Sequence, residues 1–322
     1  MNGSEFDVQV LGAGVIGLTT AITLAEAGLR VSLRTARPPG ATTSVAAGAV
    51  WGPVMCGPPE RTRAWAATGL AVFRELEPDP ATGIRSRRGR ELSRFPADPP
   101  SWLGDDLDFR RDDELPPGFV SGWRYTAPVI AMPVYLEYLA GRLARAGVEI
   151  SVNPVTSLAE VTDDHHGVPV TVNCTGVAAR QLVPDPAVHP IRGQIVVIAN
   201  PGIEEFFIDH SQPPPGVSYL FPHQDTVVLG GTVNEDDWDT GPRPEIAERI
   251  VAGCALIEPR VRTAPVLTHR VGLRPARPQV RLEAEPLDGG RVLWHNYGHG
   301  GAGVTLSWGC AAEITAGVLS HE

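Results

Sequence analysis

Apolar residues follow two different spacings near the N-terminus. A short apolar run at Val8–Leu11 predicts a β-strand, and apolar residues then recur at helical spacing from Val15 to Ala25. Gly28 stands where a left-handed residue would end that helix, and a second strand is predicted over residues 29–33. Together these elements predict a βαβ unit.

The same two spacings continue to the C-terminus. Helical spacing predicts helices over residues 62–76, 133–146, 244–257 and 304–319. β-Branched and apolar runs predict strands over 168–176, which ends in a small-residue turn, and over 191–198, 219–222, 226–231 and 292–295. Three of these strands follow one another without a helix, which predicts a second, antiparallel region. The segment from 61 to 115 is charged and, apart from its helix, weakly periodic.

A glycine-rich turn joins the first strand to the first helix. Gly12 permits the tight turn, Gly14 allows the backbone to approach a pyrophosphate, and Gly17 allows the helix to pack against the strand. The N-terminus of the helix would face the anion. The turn therefore predicts a dinucleotide-binding site made of Gly12, Ala13, Gly14, Val15, Ile16 and Gly17.

Arg34 departs from the usual dinucleotide-binding pattern, in which an acidic residue near the end of the second strand binds the ribose. A guanidinium here can bind the 2′-phosphate of NADP, or it can donate to ribose or phosphate oxygens of FAD. The next loop is made of small and hydroxylated residues that would let the backbone pass close to a flat ring. Its candidates for cofactor binding are Thr42, Thr43, Ser44, Ala47 and Gly48. An ordinary loop has the same composition, so this region leaves the cofactor open.

A second glycine-rich loop, residues 296–303, precedes the last predicted helix. The N-terminal dipole of that helix would stabilise the negative charge that a flavin gains on reduction. Two such loops in one chain favour a long cofactor, and hence FAD over NAD. The candidates here are Gly300, Gly301, Ala302, Gly303, Val304 and Thr305.

Composition excludes several functions. The chain has no lysine, so all 27 of its Lys+Arg residues are arginine, and neither a pyridoxal phosphate Schiff base nor a P-loop is available. A formal net charge of -10 argues against nucleic acid and anionic membranes as partners. The cysteines are far apart, and the glycines between His295 and His299 disfavour a metal-binding helical face, so no metal site is predicted.

Length and the two ends of the chain set further expectations. With 322 residues the chain is long enough for about two domains. Residues 1–7 lack a basic segment, the apolar run after them is too short to span a bilayer, and residues 319–322 lack a peroxisomal signal. We therefore expect a cytoplasmic protein without a membrane partner.

Several segments, taken in order, resemble the D-amino acid oxidase and D-aspartate oxidase family. The matching stretches are residues 8–17, 42–48, 172–176 with 192–194, 219–222 with 229–232, 272–277, and 295–303 with 307–309. This ordered set is more specific than any single motif, although the first hundred residues beyond Gly52 match poorly. The segment 172–176 is similar to a flavin-contacting strand of many FAD proteins, which adds Gly176 to the cofactor candidates.

The resemblance implies an α/β fold with a discontinuous, Rossmann-like FAD-binding domain. That domain would comprise residues 1–52, 140–185 and 270–322, and an α+β substrate domain with an antiparallel sheet would comprise residues 53–139 and 186–269. The resemblance further implies FAD as a noncovalent cofactor, O2 as the oxidant and a homodimer.

The resemblance also implies roles for three residues. Arg274 would bind the substrate carboxylate, which suits a planar guanidinium, although a surface ion pair is the alternative for this side chain. Tyr219 would hydrogen-bond the same carboxylate, and the backbone of Gly301 would accept a hydrogen bond from the substrate amine. The implied reaction moves a hydride from the α-carbon to flavin N5, and yields a 2-oxo acid, ammonia and hydrogen peroxide.

One departure from the family bears on the substrate. Some members have a second tyrosine four residues before the position of Tyr219, where this chain has Pro215 within the proline-rich segment 213–216. This predicts an open pocket and neutral D-amino acids as substrates, because acidic specificity would need a further cation such as Arg192 or His223. The alternatives are a D-aspartate oxidase, a glycine or sarcosine-type amine oxidase, an NADP-dependent dehydrogenase, or a noncatalytic nucleotide-binding protein.

Overall fold

A computed structural model describes residues 5–54, 56–162, 168–211 and 218–320 of the protein. Its helices are α1 (Val15–Glu26), α2 (Pro59–Leu76), α3 (Met132–Arg145), α4 (Ala159–Thr162), α5 (Ala179–Leu182), α6 (Pro244–Ala255) and α7 (Gly303–Leu319). Its strands are β1 (Val8–Leu11), β2 (Val31–Thr35), β3 (Ile84–Ser93), β4 (Arg110–Arg111), β5 (Ser121–Ile130), β6 (Ile150–Val152), β7 (Val170–Asn173), β8 (His189–Ala199), β9 (Phe206–Asp209), β10 (Ser218–Pro222), β11 (Thr226–Gly230), β12 (Asn234–Glu235), β13 (Val266–Ala276), β14 (Arg281–Pro286) and β15 (Val292–Tyr297).

The first sheet is the Rossmann-like one, with strand order β14-β15-β7-β1-β2-β6. β1 pairs in parallel with β2 and β7, and β7 pairs in parallel with β15, whereas β14 is an antiparallel edge strand. Its strands come from the start, the middle and the end of the chain. α1 packs between this sheet and the helices α3 and α7. The expected α/β class and the discontinuous arrangement are confirmed.

The second sheet has the order β12-β8-β11-β10-β9-β3-β5-β4, and β13 pairs with the other edge of β8. All of its pairings are antiparallel except that of β3 with β9. Apolar residues on one face, such as the paired Leu220 and Leu229, point toward α6 and form a core with Ile246 and Ile250. The opposite face carries Tyr219, and we call it the Tyr219 face.

Sheet membership differs from the predicted domain division at two places. β13 extends to Ala276 and pairs with β8 along its length, so residues 270–276 belong to the second sheet. α2 lies in the predicted substrate domain but packs against α7, because its apolar stripe, which includes Trp65 and Leu70, faces that helix. The division into residue ranges stays a prediction.

Two further features of the described residues concern membranes and metals. No helix in the described ranges combines the length and the apolar character needed to cross a membrane. In the same ranges, no group of three or more histidine, cysteine, aspartate or glutamate side chains is arranged to hold a metal ion.

Candidate active site

The predicted cofactor residues gather at one edge of the first sheet. β1, β2, β7 and β15 run in parallel, so their carboxyl ends lie at the same edge. The segments that follow these ends contain the glycine-rich turn, the hydroxylated loop, Gly176 and the loop before α7. Ligands of open α/β sheets bind at this edge. The fold therefore brings together candidates that are almost 300 residues apart in the sequence.

Backbone contacts hold the glycine-rich turn in place. The N–H of Gly12 donates to the carbonyl of Arg34 at 2.8 Å, and the N–H of Ala13 donates to Oγ1 of Thr35 at 3.2 Å. Gly12 has a φ of +104°, and a Cβ there would come within 2.5 Å of the Cys174 carbonyl oxygen. Only glycine therefore fits at this first position of the turn.

The middle of the turn faces hydroxyl groups across a narrow space. A Cβ built on Gly14 would meet Oγ of Ser44 at 3.2 Å and Oγ1 of Thr42 at 3.9 Å, with no backbone atom among these contacts. Ser44 Oγ accepts from the N–H of Val15 at 2.9 Å, and Gly14 supplies no side-chain cap to α1. The first turn of α1 and two hydroxyls thus surround a space that suits a phosphate.

The N-terminus of α7 is built in a similar way. Its N-cap residue, Ala302, offers no side chain to the first N–H groups of the helix. Gly300 is fixed by its N–H, which donates to the carbonyl of Pro275 at 2.8 Å. The hydroxyl of Thr305 bonds the backbone of Gly52 at 3.1 Å, so Thr305 can offer only its N–H to a ligand.

Arg274 and Tyr219 meet on the Tyr219 face. The Arg274 guanidinium donates to the Tyr219 hydroxyl and, through Nη1, to the carbonyl of Thr232 at 3.0 Å. Burial raises the pKa of Tyr219 and outweighs the charge and hydrogen bond of Arg274, which act in the other direction. Among the described residues, no carboxylate lies within ion-pair distance of Arg274. The alternative of a surface ion pair is therefore not observed there.

Two glycines make room for this pair. A Cβ on Gly193 would come within 2.5 Å of Cζ and Nη1 of Arg274, and a Cβ on Gly230 would overlap the Tyr219 ring. The sheet register explains the contacts, because Gly193 pairs with Gly272 on β13 and Gly230 pairs with Tyr219 on β10. The side chains of Arg274 and Tyr219 therefore lie flat over glycine backbone.

The hydroxylated loop closes against the same face. A Cβ on Gly48 would come within 2.8 Å of the Phe221 ring and 3.0 Å of the Tyr219 ring. A Cβ on Gly272 would meet the Ala46 side chain at 3.1 Å and the Thr43 side chain at 3.2 Å. One loop thus joins the carboxyl edge of the first sheet to the Arg274–Tyr219 pair.

Comparison with known proteins identifies the family. A family model described as FAD dependent oxidoreductase matches residues 7–316. A D-amino-acid oxidase of Rubrobacter xylanophilus is 50% identical over 310 residues, which cover 95% of this chain and 94% of that protein. The chain belongs to the D-amino acid oxidase family of FAD-dependent oxidoreductases. A D-amino-acid oxidase of Streptomyces coelicolor is 45% identical over 95% of both chains.

A solved structure has the same fold as this member of the D-amino acid oxidase family. The glycine oxidase of Geobacillus kaustophilus superposes with a TM-score of 0.81 at 18% identity, covering 98% of this chain and 95% of that one. The cofactor of the family is FAD, and the space beside Gly14 and the uncapped N-termini of α1 and α7 fit its phosphates and its flavin ring. The choice of FAD over NAD is confirmed.

The Arg34 side chain contacts other residues of the chain. Its Nε donates to the carbonyl of Asn153 at 2.7 Å and its Nη2 to that of Pro154 at 2.7 Å, and Glu160 lies at 3.1 Å. A 2′-phosphate would meet the negative charge of Glu160, which disfavours NADP. A role for Arg34 in binding FAD stays a prediction, as do the roles of the other cofactor residues.

Neither Arg192 nor His223, the two candidate cations, is placed to bind an acidic side chain of a substrate. Arg192 is fully buried on the opposite face from Arg274, and it donates to the carbonyls of Asp239 at 2.9 Å and Gly241 at 2.6 Å. The pKa of His223 is lowered to about 4 by burial and by the nearby guanidinium groups of Arg87 and Arg270, so His223 is neutral at pH 7.

The positions of Gly176 and Gly301, two further predicted site residues, are also described by the structure. Gly176 has a φ of +61° and lies beside Pro275, and Gly301 is exposed in the loop before α7. Pro215 and its neighbours lie outside the described residues. Sequence reasoning missed Thr35, Gly193 and Gly230, although Gly193 and Gly230 lie within segments that resemble the family.

Proposed function

We propose that the protein oxidises neutral D-amino acids with O2 and water to 2-oxo acids, ammonia and hydrogen peroxide. The observation that carries the proposal is the Arg274 guanidinium, which lacks a carboxylate partner in the described chain and lies beside Tyr219 at the junction with the cofactor edge. When bound, FAD takes the hydride from the substrate α-carbon and passes the electrons to O2.

Arg274 and Tyr219 supply the carboxylate site in this proposal. A planar guanidinium binds a carboxylate through two charge-assisted hydrogen bonds, and the phenol adds a third donor once Arg274 turns to the substrate. The carbonyl of Thr232, at 3.0 Å from Nη1, keeps one edge of the guanidinium fixed. The site therefore binds and orients the substrate without a bond to the reacting carbon.

The other end of the substrate is oriented by backbone. We assign to the carbonyl of Gly301 the hydrogen bond from the substrate amine, which aims the α-hydrogen at the cofactor. The amine must be neutral to release a hydride from the α-carbon, and an amine that arrives neutral needs no base from the protein. Orientation is therefore the main contribution of the chain.

The preference for substrates with neutral side chains rests on two protein residues, Arg192 and His223. Arg192 is occupied by backbone carbonyls on the far face, and His223 is neutral at pH 7. Neither offers the cation that an acidic side chain requires. The second candidate is a D-aspartate oxidase, because a human protein of that name is 32% identical over 95% of this chain. The homodimer and the cytoplasmic location stay predictions.

A peroxide assay over a panel of amino acids tests this function. The purified, yellow holoenzyme should oxidise D-alanine, D-valine and D-methionine well above D-aspartate, and it should leave the L-isomers unchanged. Turnover of D-aspartate far above the neutral substrates would instead favour the second candidate. Turnover restricted to glycine or sarcosine would exclude D-amino acid oxidation as the main activity.

A further inference from the structure

A buried carboxylate lies on the Tyr219 face outside the site described above. Glu91 on β3 is only 2% exposed, and its Oε1 accepts from the Tyr125 hydroxyl at 2.5 Å. Its Oε2 accepts from Nε1 of Trp123 at 3.0 Å and is 2.9 Å from Nε2 of His210. Side chains from three different residues, Tyr125, Trp123 and His210, thus contact the two oxygens of this buried carboxylate.

His210 is the exposed member of this cluster. Its side chain is 41% exposed, its ring stacks with Trp123 at an interplanar angle of 23°, and only Nε2 is bonded to Glu91. Burial opposes the charged ring, but the hydrogen bond and the charge of Glu91, together with the charge of Asp209, raise the pKa of His210. Asp209 is itself close to a positive charge, because Nε of Arg94 lies 3.8 Å from its Oδ2. The contact of 2.9 Å with Glu91 and the raised pKa both favour a protonated ring over this buried carboxylate.

The sheet register places this pair beside Tyr219. Ile208 pairs with Glu91 on one side and with Tyr219 on the other, so all three side chains lie on one face. His210 is two residues further along, and its N–H donates to the carbonyl of Leu92 at 3.0 Å. It is therefore a diagonal neighbour of Tyr219, roughly 7–8 Å away. The Tyr219 ring lies over Gly230 on β11, which is on the opposite side of β10 from His210. A substrate side chain that passes Tyr219 on its other side would therefore lie toward His210.

We propose that Glu91 and His210 form a charge-compensated wall of the pocket for the substrate side chain. This proposal rests on the proposed function and names the residues that set its side-chain preference. With the His210 ring protonated, the two opposite charges cancel, so the wall presents no net charge to a neutral side chain. Glu91 acts through His210 and is a positioning residue, whereas His210 faces the pocket.

Removing one partner should create selectivity for a charged side chain. His210→Gln leaves the Glu91 carboxylate uncompensated, which should favour D-lysine and disfavour D-glutamate. Glu91→Gln removes the counter-charge of the His210 ring, so this variant should favour D-glutamate at a pH at which its ring binds a proton, and that preference should grow as the pH is lowered. The double variant has neither charge and should return to a wild-type order of preference.

The experiment measures kcat/KM for D-lysine, D-glutamine and D-glutamate in each flavin-loaded variant. The ratio of D-lysine to D-glutamine should rise about tenfold in His210→Gln, since a unit charge several ångströms away at an intermediate effective dielectric gives an effect of this size. Ratios cancel a general loss of activity caused by disturbed packing. His269→Gln and Glu248→Gln, which change exposed residues away from this cluster, serve as matched controls.

Two readouts decide the outcome. The C2 proton of His210, followed by NMR, should titrate at lower pH in Glu91→Gln than in the wild type, which a purely structural role for Glu91 would not require. Unchanged substrate ratios in both single variants, in an enzyme that still oxidises neutral D-amino acids, would overturn the wall while leaving the proposed function intact. If the wild type oxidises no D-amino acid, both proposals fail together.

Discussion

The guanidinium of Arg274 lies directly over Gly193, close enough that a Cβ there would come within 2.5 Å of its central carbon. The guanidinium is the end of a flexible side chain, so Gly193→Ala should fold but displace it. We expect FAD to stay bound and kcat/KM for D-alanine to fall roughly 10- to 100-fold, within the range for a loss of about 1.4–2.8 kcal/mol. Gly141→Ala in α3, where a Cβ meets only the Arg145 tip at 3.5 Å, is the matched control. Equal activity of the two variants would contradict this placement of Arg274.

The second prediction concerns Arg274 itself. Arg274→Ala should keep FAD and lose about 3–5 kcal/mol of transition-state stabilisation, or roughly 100- to 5,000-fold in kcat/KM, because the substrate carboxylate would be desolvated without a partner. Tyr219→Phe removes one neutral hydrogen bond and should cost only about 0.5–1.5 kcal/mol. Steady-state kinetics with the best D-amino acid measures both losses. A loss below about threefold in Arg274→Ala would rule out the carboxylate role.

The third prediction concerns the cofactor cradle. Gly14→Val would place a branched side chain between the first turn of α1 and the hydroxyls of Ser44 and Thr42, in the space assigned to the pyrophosphate. The purified variant should be colourless, with no flavin absorbance, and should take up added FAD weakly. Circular dichroism provides the folding control. A folded, yellow variant with its full complement of FAD would contradict the assignment.

The parts of the fold that the sequence predicted are the ones with local signals. The βαβ unit, α3, α6, α7 and strands β10 and β11 have regular apolar spacing and glycine or proline boundaries. β3 was missed because Arg85, Arg87 and Glu91 occupy positions that alternate toward the Tyr219 face, and such residues do not indicate a strand. Glu91 can be buried only because Trp123 and Tyr125, more than 30 residues later, donate to it. No local pattern predicts a compensation of that kind.

The residues of the candidate site likewise fall into those with a local sequence signal and those whose position or charge depends on distant parts of the chain. The glycine-rich turn was found because its function lies in six adjacent residues, and the family resemblance added Arg274 and Tyr219. The neutral state of His223 depends on Arg87 and Arg270, which other strands bring close to it. The position of Arg192 follows from simple alternation, since it precedes Gly193 and so points to the opposite face.

The last prediction concerns stability at acid pH. Burial lowers the pKa of His299 to about 3, whereas an unfolded histidine titrates near 6.5. Below about pH 6.5 the unfolded chain therefore binds a proton that the folded protein does not bind, so the free energy of unfolding falls as the pH falls toward 3. The share of His299 in this loss is about 2 kcal/mol at about pH 5. Denaturant unfolding of the holoenzyme at about pH 7.5 and pH 5 should show a smaller drop in His299→Asn than in the wild type, while His269→Asn, at an exposed position, should keep the wild-type drop. An identical drop in all three proteins would mean that His299 is accessible to protons in the folded state.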